Sequence, residues 1–469
     1  MRLRTALAAA VALSVPAASG ALAITDEEIL RALRVSTLAP GARATAMGGA
    51  SLALVDDATA CRINPARMVA ITSPEAVIEL RHRSWDDVST ESGPILFEPQ
   101  SSPFAGTTLS DSSEANSGTT LSYLSYAHPI RLKRPLVLGI SRSLAIDVSA
   151  ASGVSTRTTP LSAPTPGDEI IRDSIGELEA DITLYDLAAG WRVTPTFSVG
   201  GALVVGMLDV SSSSTGVLTD PLQFTLPGMG DPRFSGPGGA PLVVTSAGGT
   251  DSDLGFSFGV QWRPHTSLWL ATTYRSASEF EIRSTHEDLF AGVETSFSNV
   301  IRTPDSAAIG LAWTPFAASP SSTLQSLLLA LDVERVGHSE TLKGLRVGES
   351  ILTSPYFVSD VFYDLEDSVE GRLGLEVRKT YPTWTLALRG GAYTEHAGVM
   401  HLEEMSGDVG QMQGQSDAMK RAGYYAEGDT ELHGTMGAGA RFYSFSVDVG
   451  VDFCDPLTQI VASATYRFR

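Results

Sequence analysis

The residues able to do chemistry are few and thinly grouped. Gly255-Phe256-Ser257-Phe258-Gly259 fits the Gly-x-Ser-x-Gly spacing of a nucleophile elbow. That elbow needs a strand-to-helix turn that exposes the serine. Here alternating residues run on to Val260 and Trp262, so Ser257 is expected on the inner side of a strand, which argues against a hydrolase. Cys61 and Cys454 lie 393 positions apart without a Cys-x-x-Cys pair, so they read as two isolated thiols, with one disulfide across the fold as the alternative. His396 with His401 makes a weak metal pair, and no metal site is expected from it. Met405, Met412 and Met419 recur every seven residues, the spacing of one adaptable apolar helix face. No phosphate loop, zinc-protease helix or dinucleotide fingerprint is found, and no cofactor is expected.

What must position such residues follows from the composition. The 469 residues are 43% apolar and 18% charged, with a formal net charge of −20. So acidic a chain lacks the basic face that phosphates require, and a nucleic-acid partner is excluded. Mean hydropathy is only +0.07. No apolar run past the N-terminus is long enough for a membrane-spanning helix. Arg2 and Arg4, the apolar stretch Leu7–Val15 and Ala21-Leu22-Ala23 form an export signal over residues 1–23.

From residue 75 onward apolar and polar residues alternate with period two. Val447, Val449, Val451 and Phe453 interleave with Ser446, Asp448, Gly450 and Asp452; Leu327, Leu329, Leu331 and Val333 interleave with Leu328, Ala330, Asp332 and Glu334. Fourteen strands are expected: 75–88, 119–128, 136–149, 178–192, 197–211, 253–263, 268–283, 306–316, 325–336, 371–380, 384–393, 433–443, 445–454 and 459–468. Connections after even-numbered strands are short, and those after odd-numbered strands, the last excepted, are long. That rhythm predicts an all-β fold, a 14-stranded antiparallel transmembrane β-barrel of the outer-membrane kind. The apolar set would face lipid. The inward set would include Asp332, Glu334, Arg372, Glu376, Arg378, Arg389, Asp448, Asp452 and Arg467. Trp191, Trp262, Trp384, Phe442 and Phe468 near strand ends fit interfacial girdles. On the strand Leu136–Val148, Arg142 interrupts an otherwise apolar face. Facing mid-bilayer it would cost about 2–4 kcal/mol, which a bulge turning it inward would avoid.

Residues 24–74 are unlike the rest. Gly41-Ala42-Arg43 leads through Gly48-Gly49 to Asp56-Asp57-Ala58 and then Asn64-Pro65-Ala66. Pro65 offers no N–H and biases Asn64 to an extended conformation, from which its amide can hold a compact turn. Gly48 and Gly49 permit tight backbone.

This segment resembles the N-terminal plug of the FadL family, outer-membrane transporters of long-chain fatty acids and aromatic hydrocarbons. The resemblance implies a plug (hatch) in the lumen of a fourteen-stranded barrel, over 24–74, with the barrel over 75–469. It also implies passive, ligand-gated uptake of a hydrophobic small molecule across a bacterial outer membrane. The plug would shift when ligand binds, and ligand would leave sideways at the third strand. Gly48, Gly49, Asp56, Asp57, Asn64, Pro65 and Ala66 are the expected hatch residues. The expected partners are that ligand and outer-membrane lipid, with the chain a monomer. From this sequence itself, outer loops 212–252 and 284–305 offer Phe224, Leu226, Leu289, Phe290 and Phe297 as a capture groove. The alternatives are a plugged barrel serving as scaffold or shuttle in protein secretion, and a barrel hydrolase using Ser257.

Overall fold

Alternation becomes inside and outside. Val447, Val449 and Phe453 stand exposed on the outer surface, while Ser446 and Asp452 are buried within. Phe256, Phe258 and Trp262 are likewise outward, with Ser257 buried between them. Period-two side chains on a closed sheet can only divide in this way.

The computed structural model describes residues 39–87, 104–111, 114–160, 170–219, 240–288, 293–316, 327–341, 360–364, 366–396, 401–406, 430–454 and 457–468. The barrel strands are β1 Glu75–Asp87, β2 Glu114–Ile130, β3 Leu136–Pro160, β4 Ile170–Thr194, β5 Phe197–Thr219 and β6 Ala240–His265. Next come β7 in two pieces, Leu268–Arg275 and Glu279–Asp288, and β8 in two pieces, Val293–Arg302 and Asp305–Trp313. The rest are β9 Leu327–Gly337, β10 Ser368–Thr380, β11 Trp384–His396, β12 Thr430–Phe442, β13 Phe445–Phe453 and β14 Leu457–Arg467. Each pairs antiparallel with its neighbour, and β1 closes on β14 from Glu75↔Arg467 to Trp85↔Leu457. The result is the expected closed barrel of fourteen strands.

Several strands run far past their expected ends. β5 and β6 pair out to Leu218↔Ala240, and β7 and β8 pair out to Asp288↔Val293. The expected loops 212–252 and 284–305 are therefore mostly hairpin, and Phe297 sits in a strand opposite Ser284. These extensions are rich in Ser, Thr and Val, residues that fit a pleated ladder whether or not lipid surrounds it. The methionine pattern was likewise no helix at its start: Met405 lies in a short strand, His401–Ser406, paired with Asp360–Asp364. Met412 and Met419 lie outside the described residues.

The breaks carry information. Pro304 separates the two pieces of β8, as a residue without an N–H must in a ladder. The facing break in β7 spans Ser276–Ser278, where Ser278 N–H donates to Thr303 Oγ1 at 2.9 Å. β2 carries one extra residue at Ser122 against β1, and β3 one at Ala145 against β4. Between these bulges, the β2–β3 ladder runs from Ile130↔Leu136 to Tyr123↔Ser143 and stops.

On the short-turn side, Trp191, Trp262, Trp313, Phe442 and Phe468 are exposed at the rim. Tyr381, Trp384 and Phe442 stack there, with centroids 4.6 and 5.9 Å apart. This is the interfacial girdle expected of a lipid-facing barrel. No helix among the described residues is long and apolar enough to cross a membrane.

Candidate functional site

Residues 39–74 precede β1, and most of 39–71 is buried inside the barrel. Three short helical turns organise them: α1 Ala42–Ala46, α2 Ala60–Ile63 and a 3-10 turn Pro65–Ala70. α1 packs on β11–β14, while α2 and the 3-10 turn pack on β3–β6. Small residues on the wall make room. A Cβ at Gly200 would stand 2.3 Å from the Pro65 carbonyl carbon.

The Asn-Pro-Ala turn does what its residue types require. Asn64 is extended at φ −156°, fully buried, and its Oδ1 accepts from Ala66 N–H at 3.1 Å. Its Nδ2 donates to Leu52 O at 3.1 Å, tying two passes of the segment together. Gly48 and Gly49 hold φ of +61° and +74°, which side chains disfavour. Ser198 Oγ donates to Ala66 O at 3.0 Å, fastening this turn to β5.

Charge binds the segment to the wall more strongly. Arg43 donates from Nε and Nη2 to Glu376 at 3.0 and 3.2 Å, and from Nη1 to Asp56 at 2.7 Å. Glu376 also receives Arg378 at 2.7 Å and Arg389 at 2.6 Å, and Arg389 continues to Asp448 at 2.6 Å. Asp332 accepts from Ser51 and Leu52 N–H at 2.8 and 2.9 Å. Arg62 reaches Asp186 at 3.4 Å, and Arg275 joins Glu334 at 2.8 Å while donating to Ile63 O at 3.1 Å. Gly41 N–H donates to Glu79. Of the inward charges expected from alternation, Asp332 and Glu376 contact the segment directly, and Arg378 and Arg389 join it through Glu376.

Within it, Asp56 and Asp57 are set apart. Burial opposes the Asp56 charge, but Arg43, then Arg378 and Arg67, outweigh it and hold the carboxyl at about 2. Burial and the neighbouring Asp56 push Asp57 upward. Thr59 N–H donates to Asp57 at 3.0 Å. Burial also pushes the Cys61 thiol up, leaving it an inert packing group. Neither Cys61 nor Cys454 is in a disulfide.

An apolar wall occupies the lumen on the opposite side. Ile146, Ile182, Leu184, Val204, Leu208 and Phe280 are buried on β3, β4, β5 and β7. On β4 the polar step comes first: Asp186, which holds Arg62, is followed toward the long-loop end by Leu184 and Ile182. The Phe280 ring lies against Gly206, where a Cβ would meet its Cζ at 2.7 Å. Sequence patterning missed this wall, because β4 and β5 are apolar on both faces: Leu187, Leu203 and Met207 point to lipid. Ile146 was expected outward with Ile140; the bulge at Ala145 turns it in.

The end of the β2–β3 ladder borders this wall. Arg142 stays on the face it shares with exposed Leu138 and Ile140 instead of turning inward. Its Nη1 donates to Leu121 O at 2.7 Å, on the stretch of β2 that has left β3. The guanidinium therefore satisfies a carbonyl that the interrupted ladder gives up. Of the expected capture residues, Phe224, Leu226, Leu289 and Phe290 lie outside the described residues.

The closed fourteen-stranded barrel has the fold of FadL-type barrels. The structure is similar to that of a Pseudomonas aeruginosa FadL homologue, with TM-score 0.57, 14% identity, and 93% of this chain and 100% of that chain covered. It is also similar to the CymD monoaromatic hydrocarbon channel, at TM-score 0.51 and 14% identity over 93% and 99% of the two chains. For the Pseudomonas putida toluene transporter TodX the values are 0.50, 14%, 92% and 100%. No family model matches the chain, and no curated protein matches it.

Proposed function

We propose that the chain is an outer-membrane channel for passive, ligand-gated uptake of hydrophobic compounds such as long-chain fatty acids or hydrocarbons. One observation carries this reading: the apolar wall around Leu184 and Phe280 lies between a clasped lumen segment and an interrupted β2–β3 ladder. A hydrophobic molecule on that wall leaves water without meeting an unpaired charge. Proteins of this fold include a toluene transporter and a monoaromatic hydrocarbon channel.

In this reading residues 1–23 are the export signal, 24–74 the hatch and 75–469 the barrel. Gly48, Gly49, Asp56, Asp57, Asn64, Pro65 and Ala66 shape the hatch. Phe224, Leu226, Leu289, Phe290 and Phe297 serve capture at the outer mouth. The chain acts as a monomer in lipid and performs no catalysis; Ser257 is buried on β6 with no hydrogen-bond partner in reach of its Oγ.

The test is uptake of a labelled long-chain fatty acid and of toluene by cells whose own channels are deleted. The double variant Leu184→Ser, Phe280→Ser is expected to lower uptake at least tenfold while heat-modifiable gel mobility stays normal. Wild-type uptake by that folded variant overturns the reading.

A further inference from the structure

The outer part of the β11–β13 wall holds a cluster that hydrophobic transport does not use. Glu395 of β11 and Glu431 of β12 are direct cross-strand partners. His433 follows two positions later on the same face. Cys454 follows Phe453, the last residue of β13, which pairs with Gly434. The ligating atoms of Glu431, His433 and Cys454 all lie within 4.8 Å of one another.

His433 is fully buried, and its ring is fixed. Nδ1 lies 3.1 Å from Asp452 Oδ1. The other Asp452 oxygen accepts from Tyr393 OH at 2.7 Å and from Gln459 Nε2 at 3.2 Å. The Tyr393 ring stacks on the imidazole with centroids 4.2 Å apart. A carboxylate acceptor at Nδ1 holds a proton there, so a metal would bind from the Nε2 side. Yet Nε2 has no hydrogen-bond partner. It points between Glu395 Oε2 at 3.5 Å and Glu431 Oε2 at 3.7 Å, too far for good hydrogen bonds.

Those separations suit a different object. Metal–ligand bonds of ~2.0–2.3 Å in a tetrahedron put donor atoms ~3.3–3.8 Å apart. We propose that Glu431, His433 and Cys454 form a binding site for a divalent transition metal, zinc by preference, with Glu395 beside the His433 ring. The donor set is the argument for that class. Calcium and magnesium take oxygen ligands, whereas imidazole and thiolate beside carboxylate suit zinc. Asp452 is then the orienting carboxylate behind the metal-binding imidazole, the arrangement that fixes tautomer and ring angle in zinc sites. The metal joins β12 and the residue that follows β13.

The full-length protein, extracted in detergent, stripped with chelator and kept reduced, is titrated with zinc and with cobalt. One zinc per chain by elemental mass spectrometry is expected, with a thiolate-to-cobalt charge-transfer band. Cys454→Ser should abolish that band and weaken zinc binding at least tenfold. His433→Gln should remove stoichiometric binding, and Asp452→Asn should weaken it ~10–100-fold through the orienting contact. Cys454→Ser changes one atom at the end of a strand, so it stays informative if His433→Gln fails to fold. Zinc no higher than in a buffer blank, or equal zinc and cobalt binding by wild type and Cys454→Ser, overturns the proposal.

Discussion

Arg43 and Glu376 form a two-pronged ion pair across the boundary between the lumen segment and the wall, with contacts of 3.0 and 3.2 Å. Glu376 is wholly buried and answers three guanidinium groups at once. Removing its charge leaves Arg43, Arg378 and Arg389 facing one another. Glu376→Gln should therefore weaken the seat of the segment by ~3–5 kcal/mol, as breaking a buried pair does. Asp56→Asn, at a carboxylate one-third exposed, should cost about 1 kcal/mol or less. Planar-bilayer conductance orders them: Glu376→Gln should open the lumen far more often than Asp56→Asn, with both barrels intact. Equal conductance would disprove the clasp.

Acid should act through the same contact. Asp56 is held near 2 in the folded chain against an ordinary 3.8. A depressed carboxylate contributes its full stability above its ordinary value and loses it as pH falls toward the folded value. Protection of the 51–59 amides from hydrogen exchange should therefore fall in wild type between pH 4 and 2. Asp56→Asn should lack that component. Asp57, pushed upward, works with the opposite sign, so Asp57→Asn should not reduce protection at pH 7.

The 3-10 turn needs bare backbone opposite it. A side chain at Gly200 would meet Pro65, so Gly200→Val should lift residues 65–70 off β5. Overpacking of this kind costs ~1–3 kcal/mol. Faster hydrogen exchange confined to those residues is the expected result, with β4 and β5 still protected.

The bulge at Ala145 sets where the β2–β3 ladder ends. Deleting Ala145 should remove the extra residue, keep Ile146 facing inward opposite Ile182 and let β3 pair further along β2. Uptake should fall sharply while the barrel stays folded. Undiminished uptake would show that ligand does not depend on this break.

Much of the barrel was legible because lipid and lumen impose opposite polarity on successive residues. Asp332, Glu376 and Asp452 stood out as inward for that reason alone, and each is buried. Asn64-Pro65-Ala66 was legible because few residue types make that turn. What stayed hidden were shifts of one residue. The extra positions at Ser122 and Ala145, and the three-residue break before Glu279, reverse which side chains face in. Ile146 and Phe280 join the apolar wall only through such reversals. The metal-ligating cluster was hidden differently, since Glu431 and His433 meet Cys454 only through strand register.

The most direct test of the account is native mass spectrometry of the protein extracted in a mild detergent. A hydrophobic compound should copurify at about one per chain, and Leu184→Asp, Phe280→Asp should remove it while the barrel remains folded. Wild-type protein that holds no such compound, and takes up none when offered fatty acid or toluene, would contradict the account.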